Sequence, residues 1–160
     1  MTSEHAAEDL MLHPGHLLRR ALQAMNVLWD HEVSHVITSP QFAALNALYG
    51  EPAIDQRTLG ERISLDRSTM AEVVARLSAR GLISTDRDSR DGRRKKIQLT
   101  PKGVVTLQHL IPRTHEMTRR LVGSLDAKER DEMLRLLTKV VRSNERRQPR
   151  SPRPIRSASP

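Results

Sequence analysis

Nine charged side chains crowd into the sixteen residues TDRDSRDGRRKKIQLT, positions 85–100, which then close on the alternating pair Ile97 and Leu99. Guanidinium and ammonium groups at that density suit phosphate chemistry. They neutralise a polyanion, and arginine also enters a narrow minor groove, where the negative potential is enhanced. Arg90 at the tip and Arg93 just past Asp91-Gly92 are the candidates for a groove, with Arg87, Arg94 and Lys95 nearer the phosphates. Asp88 and Asp91 would hold arginines in position. A solvated, salt-laced hairpin is the competing reading of the same residues.

A second group lies just upstream in SLDRSTMAEVVARLSARG, positions 64–81. Met70, Val73, Val74 and Leu77 form one apolar stripe at helical spacing, and Arg67, Ser68, Thr69, Glu72 and Arg76 form the opposite face. A helix start offers free N–H groups and partial positive charge to a phosphate. Ser68 and Thr69 are short enough to let that start enter a major groove. Arg67 and Arg76 reach guanine edges or phosphates, and Glu72 accepts from a cytosine amine or serves a cap with Thr69. The alternative is the plain solvated face of an amphipathic helix.

Other chemistries find little support. The chain has no cysteine, which excludes disulfides and thiolate-bound zinc. His31 and His35 are four apart on a predicted helix, but two ligands are too few, Glu32 faces elsewhere, and His109 and His115 are spaced poorly for one face. We therefore expect no metal and no cofactor. A Gly-rich phosphate loop, a metal triad and a Ser-His-Asp order with supporting context are all missing, and carboxylates on a hairpin tip cannot exclude water, so an enzyme is not expected.

These groups need elements to hold them. Pro14 opens a helix of about six turns whose apolar positions run from Leu18 to Ile37. Ser39-Pro40 caps and starts a second helix ending at Gly50, with Phe42, Leu45 and Leu48 inward. Ile54 is a candidate short strand and 57–63 a short helix. A turn of about four residues leads into the amphipathic helix, which Ser64 or Asp66 caps and Gly81 ends; that is a helix-turn-helix. Strands over 82–87 and 94–99 with Asp91-Gly92 at the turn make a two-stranded wing, with Lys96 and Gln98 toward solvent. Thr100-Pro101 starts a long helix that Pro112 should kink, and Asp126 with Glu129 starts the last.

Length and composition bound the rest. The chain has 160 residues, enough for one domain with tails, and only Trp29, Phe42 and Tyr49 are aromatic, which suits a helical core. Residues 57–102 carry +6 and 145–160 carry +4 of a net +8, so positive charge is concentrated in one internal segment and one tail. An acidic N-terminus without an apolar signal core, and no apolar run of membrane length, give an expectation of a cytoplasmic protein away from membranes. The fold class is therefore mainly α with a small β-wing. We expect disorder over 1–12, a dimerisation helix over 13–38, a winged helix-turn-helix over 39–100, dimerisation helices over 101–144 and a disordered basic tail over 145–160. The long apolar stripes exceed what the small module can cover, which predicts a homodimer carrying two reading heads.

This order resembles the MarR family of bacterial transcription regulators. LDRSTMAEVVARLSARGLI, then Asp88-x-x-Asp91-Gly92-Arg93, LTPKG at 99–103 and SPQFAALNAL at 39–48 carry the likeness, which spans roughly 14–144. The family pattern places the wing's aspartate–arginine pair on Asp91 and Arg93. The stretch DQRTLGERISLDRSTMAEVV is also similar to the branch that controls breakdown of nicotinic acid and related aromatic acids. The resemblance implies a repressor of double-stranded DNA with a pseudo-palindromic operator, released by a small aromatic carboxylate. For that carboxylate the candidates are His16 and Arg20, one turn apart on the first helix; both being plain surface residues is the alternative. A winged-helix adaptor for proteins, or a non-specific DNA binder without an effector, is the competing function.

Overall fold

Three antiparallel strands meet at Ile97 in the computed structural model, which describes residues 11–87 and 95–145. The chain divides into two units, one ending at Leu121 and the other starting at Val122. The first holds α1 (Pro14–Leu28), a π turn (Trp29–Val33), α2 (Ser39–Gly50), β1 (Ile54–Asp55), α3 (Gln56–Arg62), α4 (Arg67–Ala79), β2 (Ile83–Arg87), β3 (Lys95–Leu99) and α5 (Pro101–Leu121). The second holds α6 (Ala127–Glu145).

The sheet order is β1-β3-β2. Ile97 faces Thr85 on one side and Ile54 on the other, and Lys96 faces Asp86 and Asp55. The expected two-stranded wing thus gains a third strand, because the residues at 54–55 reach the free edge of β3. Lys96 and Gln98 are half-buried rather than fully solvated, and the Gln98 amide donates to Asp86 at 2.8 Å.

Beneath the sheet, Leu45, Leu59, Leu77, Ile97 and Leu107 are all within 1 % of full burial and join α2, α3, α4, β3 and α5 in one core. Burying each such side chain is worth about 1.5–3 kcal/mol. Trp29 belongs to the same core and forms a tilted ring pair with Phe42, 5.4 Å apart.

The first helix departs from expectation. It stops at Leu28, passes through the π turn and ends at Ser34, whose backbone is extended. Ser34 Oγ accepts from the amides of Val36 and Ile37 at 3.0 and 2.9 Å, and the Trp29 indole donates to the Ile37 carbonyl at 2.7 Å. Those bonds replace the helical ladder over the last apolar positions. His31 and His35 consequently do not share a helix face; His35 instead pairs with Asp30 at 2.9 Å. Thr38 rather than Ser39 caps α2, with the Gln41 side chain accepting from its amide at 3.2 Å.

Other boundaries follow local chemistry. Gly81 has φ +68° and ends α4, as a left-handed position after a helix favours glycine. Thr100 Oγ1 accepts from the Gly103 amide at 3.0 Å and donates to the Gly81 carbonyl at 2.7 Å, which fastens the start of α5 to the end of α4. Pro112 sits inside α5 without ending it. Asp126 and Glu129 exchange reciprocal side-chain-to-amide bonds of 2.9 and 2.8 Å at the start of α6. Of the tails, 1–10 and 146–160 lie outside the described residues, whereas Met11 and Leu12, expected to be disordered, are helical, and Glu145 closes α6.

Candidate nucleic-acid interface

Asp66 organises the start of α4. Its Oδ1 accepts from the amides of Ser68 and Thr69 at 2.9 and 3.0 Å, and both hydroxyls donate to the same carboxylate, Thr69 at 2.6 Å. Four donors on one ionised group hold its pKa well below the usual carboxylate range, the Ser68 and Thr69 hydroxyls contributing most. This corrects the picture of a free helix start. The amides of Ser68 and Thr69 are occupied, and a negative charge already sits where a phosphate would dock.

The consequence is chemical. With their protons committed to Asp66, the Ser68 and Thr69 oxygens present lone pairs outward. They are therefore suited to accept from an adenine or cytosine amine, not to donate to a phosphate. Ser68 is exposed and Thr69 half-buried.

Arg67, Glu72 and Arg76 are exposed and, among the described residues, take no hydrogen bond or ion pair. Their neighbours differ: Arg57 is tied to Glu61 at 2.8 Å, and Arg62 to Glu51. Glu72 leaves Thr69 to Asp66. Thr69, Glu72 and Arg76 recur at steps of three and four and share one face of α4, while Met70, Val73 and Leu77 are buried beneath it.

The wing supplies less detail. Arg87 and Lys95 are paired across β2 and β3 in backbone register. Arg90, Arg93 and Arg94, with Asp88 and Asp91, lie outside the described residues. The strand β2 starts at Ile83, after Arg80, Gly81 and Leu82 lead out of α4.

His16 and Arg20 both sit on α1, which buries no residue in this unit. His16 is half-buried with its Nδ1 3.3 Å from Arg19, and Arg20 is exposed. Four positions apart in one α-helix, the two share a face of α1. Asp66 was legible only as a cap, not as the group that orients two hydroxyls, and Arg80, whose side chain reaches the Val36 carbonyl, had no sequence signal.

Comparison with known proteins fits this arrangement. Residues 37–94 match the model described as MarR family. The HTH-type transcriptional repressor NicR of Pseudomonas putida is 33% identical over 138 residues, which cover 86% of this chain and 87% of NicR. The chain belongs to the MarR family. Among solved MarR-like structures, the PcaV transcriptional regulator of Streptomyces coelicolor, crystallised with its natural ligand, is 47% identical with a TM-score of 0.82, covering 85% of this chain and 96% of PcaV. Bordetella bronchiseptica BpsR, described for regulation of its DNA binding by 6-hydroxynicotinic acid, is 30% identical with a TM-score of 0.74, covering 79% of this chain and 97% of BpsR. As a MarR-family member the protein is a DNA-binding transcription regulator and not an enzyme. No described helix is long and apolar enough to cross a membrane.

Proposed function

We infer that the protein is a homodimeric repressor that reads a pseudo-palindromic operator and leaves it when a small aromatic carboxylate binds. The observation that carries this reading is the α4 face, where Arg67 and Arg76 stand exposed and, among the described residues, unpaired beside two oriented hydroxyls. Arg67, Ser68, Thr69, Glu72 and Arg76 then meet the major groove. Arg90 and Arg93 enter the minor groove, and Arg87, Arg94 and Lys95 meet phosphates.

Dimerisation is supported by apolar surface that each unit leaves in water. Leu18 and Leu22 on α1 and Leu134 and Val141 on α6 are each about half exposed or more, at 48, 54, 59 and 51 %. Stripes of that extent are normally covered by another copy. In this reading 13–38 and 101–144 make the dimer and 39–100 reads DNA, with half-sites roughly 34 Å apart or a multiple of it. A repressor relative in NicR, a ligand complex in PcaV and 6-hydroxynicotinic acid acting on BpsR support a carboxylate effector. His16 and Arg20 are its proposed contacts, through charge-assisted bonds to the carboxylate.

Footprinting on the protein's own upstream region, with and without nicotinate-like and benzoate-like acids, tests it. A protected palindrome released by one acid is the expected result. Protection that ignores every acid, or no protected site at all, refutes the effector or the operator respectively.

A further inference from the structure

Loop 33–37, which begins with the last residue of the π turn, has three backbone carbonyls, each held by a side chain from a different element. Arg113 of α5 donates to Val33 at 3.3 Å, the Arg80 guanidinium at the end of α4 donates to Val36, and Trp29 donates to Ile37 at 2.7 Å. The end of α4 is fastened on its other side as well. Lys102 donates to the Arg80 carbonyl at 2.8 Å, and Thr100 to the Gly81 carbonyl at 2.7 Å, both from the start of α5.

So the end of α4 is tied to the loop and to α5 by side-chain bonds. Its start is held by packing on α3, with Met70 buried and the Leu65 amide donating to the Gly60 carbonyl at 2.9 Å. That start carries Asp66 together with Arg67, Ser68 and Thr69, part of the face assigned to DNA above. Thirteen residues span about 20 Å, so a tilt of about 10° about the tied end moves the start of α4, together with α3 packed on it, by about 3.4 Å, one base-pair step. Small rotations at residue 80 therefore matter at the DNA.

We propose that Arg80 is a positioning residue that sets the angle of α4 against loop 33–37, and so couples any displacement of the first helix to the DNA-reading tip. This rests on the operator-binding dimer inferred above. The core itself does not depend on the contact. Leu77 and Ile37 are buried on their own account, at 0 and 4 % exposure, while Val36, whose carbonyl Arg80 takes, is 59 % exposed. The guanidinium acts on the edge of the junction, where it changes angle more than packing. Lysine at the same position keeps a donor and a charge; methionine keeps the stem and loses both.

The test uses the full-length protein and a duplex that the wild type selects from a random pool, rebuilt with its half-sites one base pair closer, and one and two base pairs further apart. Anisotropy titrations at two salt concentrations give affinity and salt slope for wild type, Arg80→Met and Arg80→Lys. We expect the wild type to prefer one spacing sharply, and Arg80→Met to lose about tenfold of that preference, the usual scale for a charge-assisted bond. Its salt slope stays unchanged, and Arg80→Lys restores the preference. Retention of the wild-type preference by Arg80→Met overturns the proposal. Equal weakening at every spacing with a shallower salt slope also overturns it, by making Arg80 a phosphate contact. Loss of helical circular dichroism in Arg80→Met overturns it too, because the residue would then hold the fold and not the angle. A wild type that selects no duplex refutes the operator reading itself.

Discussion

Gly103→Ala sets two physical rules against each other. Position 103 lies in the first turn of α5, where alanine normally stabilises by about 1 kcal/mol relative to glycine. Here an added Cβ would fall deep inside the van der Waals envelope of the Leu82 carbonyl oxygen, with the Leu82 carbonyl carbon at 3.0 Å and Leu99 Cδ2 at 3.3 Å. The oxygen is backbone and already accepts the Thr100 amide at 3.1 Å. Relief requires α5 and the residues entering β2 to separate, an overpacking cost of about 1–3 kcal/mol. A broken Thr100–Leu82 bond adds about 1 kcal/mol. Net destabilisation is about 1–3 kcal/mol, a fall in Tm of roughly 2–12 °C for a chain of this size. Thermal unfolding followed by far-UV circular dichroism measures it, with Gly50→Ala as the control. Nothing lies within 4 Å of a Cβ at Gly50, so that variant should be neutral or up to about 1 kcal/mol more stable. An alanine at 103 that melts with the wild type or above it would refute the claim that close backbone approach decides this position.

Three further outcomes follow from the site and the apolar faces. Asp66→Ala should lower the melting temperature and blur base preference. Because the native carboxylate titrates below its ordinary value of about 3.9, its stabilising effect is complete above that range and is lost only as pH falls through the folded pKa. The melting gap to wild type should then stay constant from about pH 7 to about pH 5 and narrow in stronger acid; a gap that closes near neutrality contradicts the assignment. Arg93→Ala should weaken operator and random DNA alike and reduce the salt slope by about 1, whereas Thr69→Phe should hit the operator hardest; parallel losses from both in a salt series would remove the distinction. Val141→Glu, on an exposed apolar stretch of α6, should shift the protein toward monomer in sedimentation velocity, and an unchanged dimer would place the interface elsewhere.

Where a boundary depends on residues within a turn of each other, the chain announced it. Gly81, Thr100-Pro101 and the Asp126–Glu129 pair each carry their own bonding partner within three residues, and the structure has them where the spacing placed them. Asp66 was legible as a cap for the same reason. The end of the first helix was not, because Val33, Val36 and Ile37 continue the helical apolar spacing straight through the break. What stops the helix is Ser34 and an indole eight residues from its acceptor. The third strand was legible at Ile54, but its partner was not, since Ile54 and Ile97 are forty-three positions apart in the chain and only the folded register joins them. At the site, the five α4 residues were placed on one face by periodicity alone. Periodicity carries no information on hydroxyl direction, so the commitment of Ser68 and Thr69 to Asp66 became visible only with the side chains. Arg80 contacts a carbonyl forty-four residues away and presents no pattern at all.

The protein has a single tryptophan, and it is the indole that bonds the Ile37 carbonyl, lies against Phe42 and is only 7 % exposed. Its ultraviolet emission therefore comes from one place, the joint between the first helix and the reading head. No dye or label is needed to watch that joint: a red shift or a change in acrylamide quenching would time its opening directly in stopped flow.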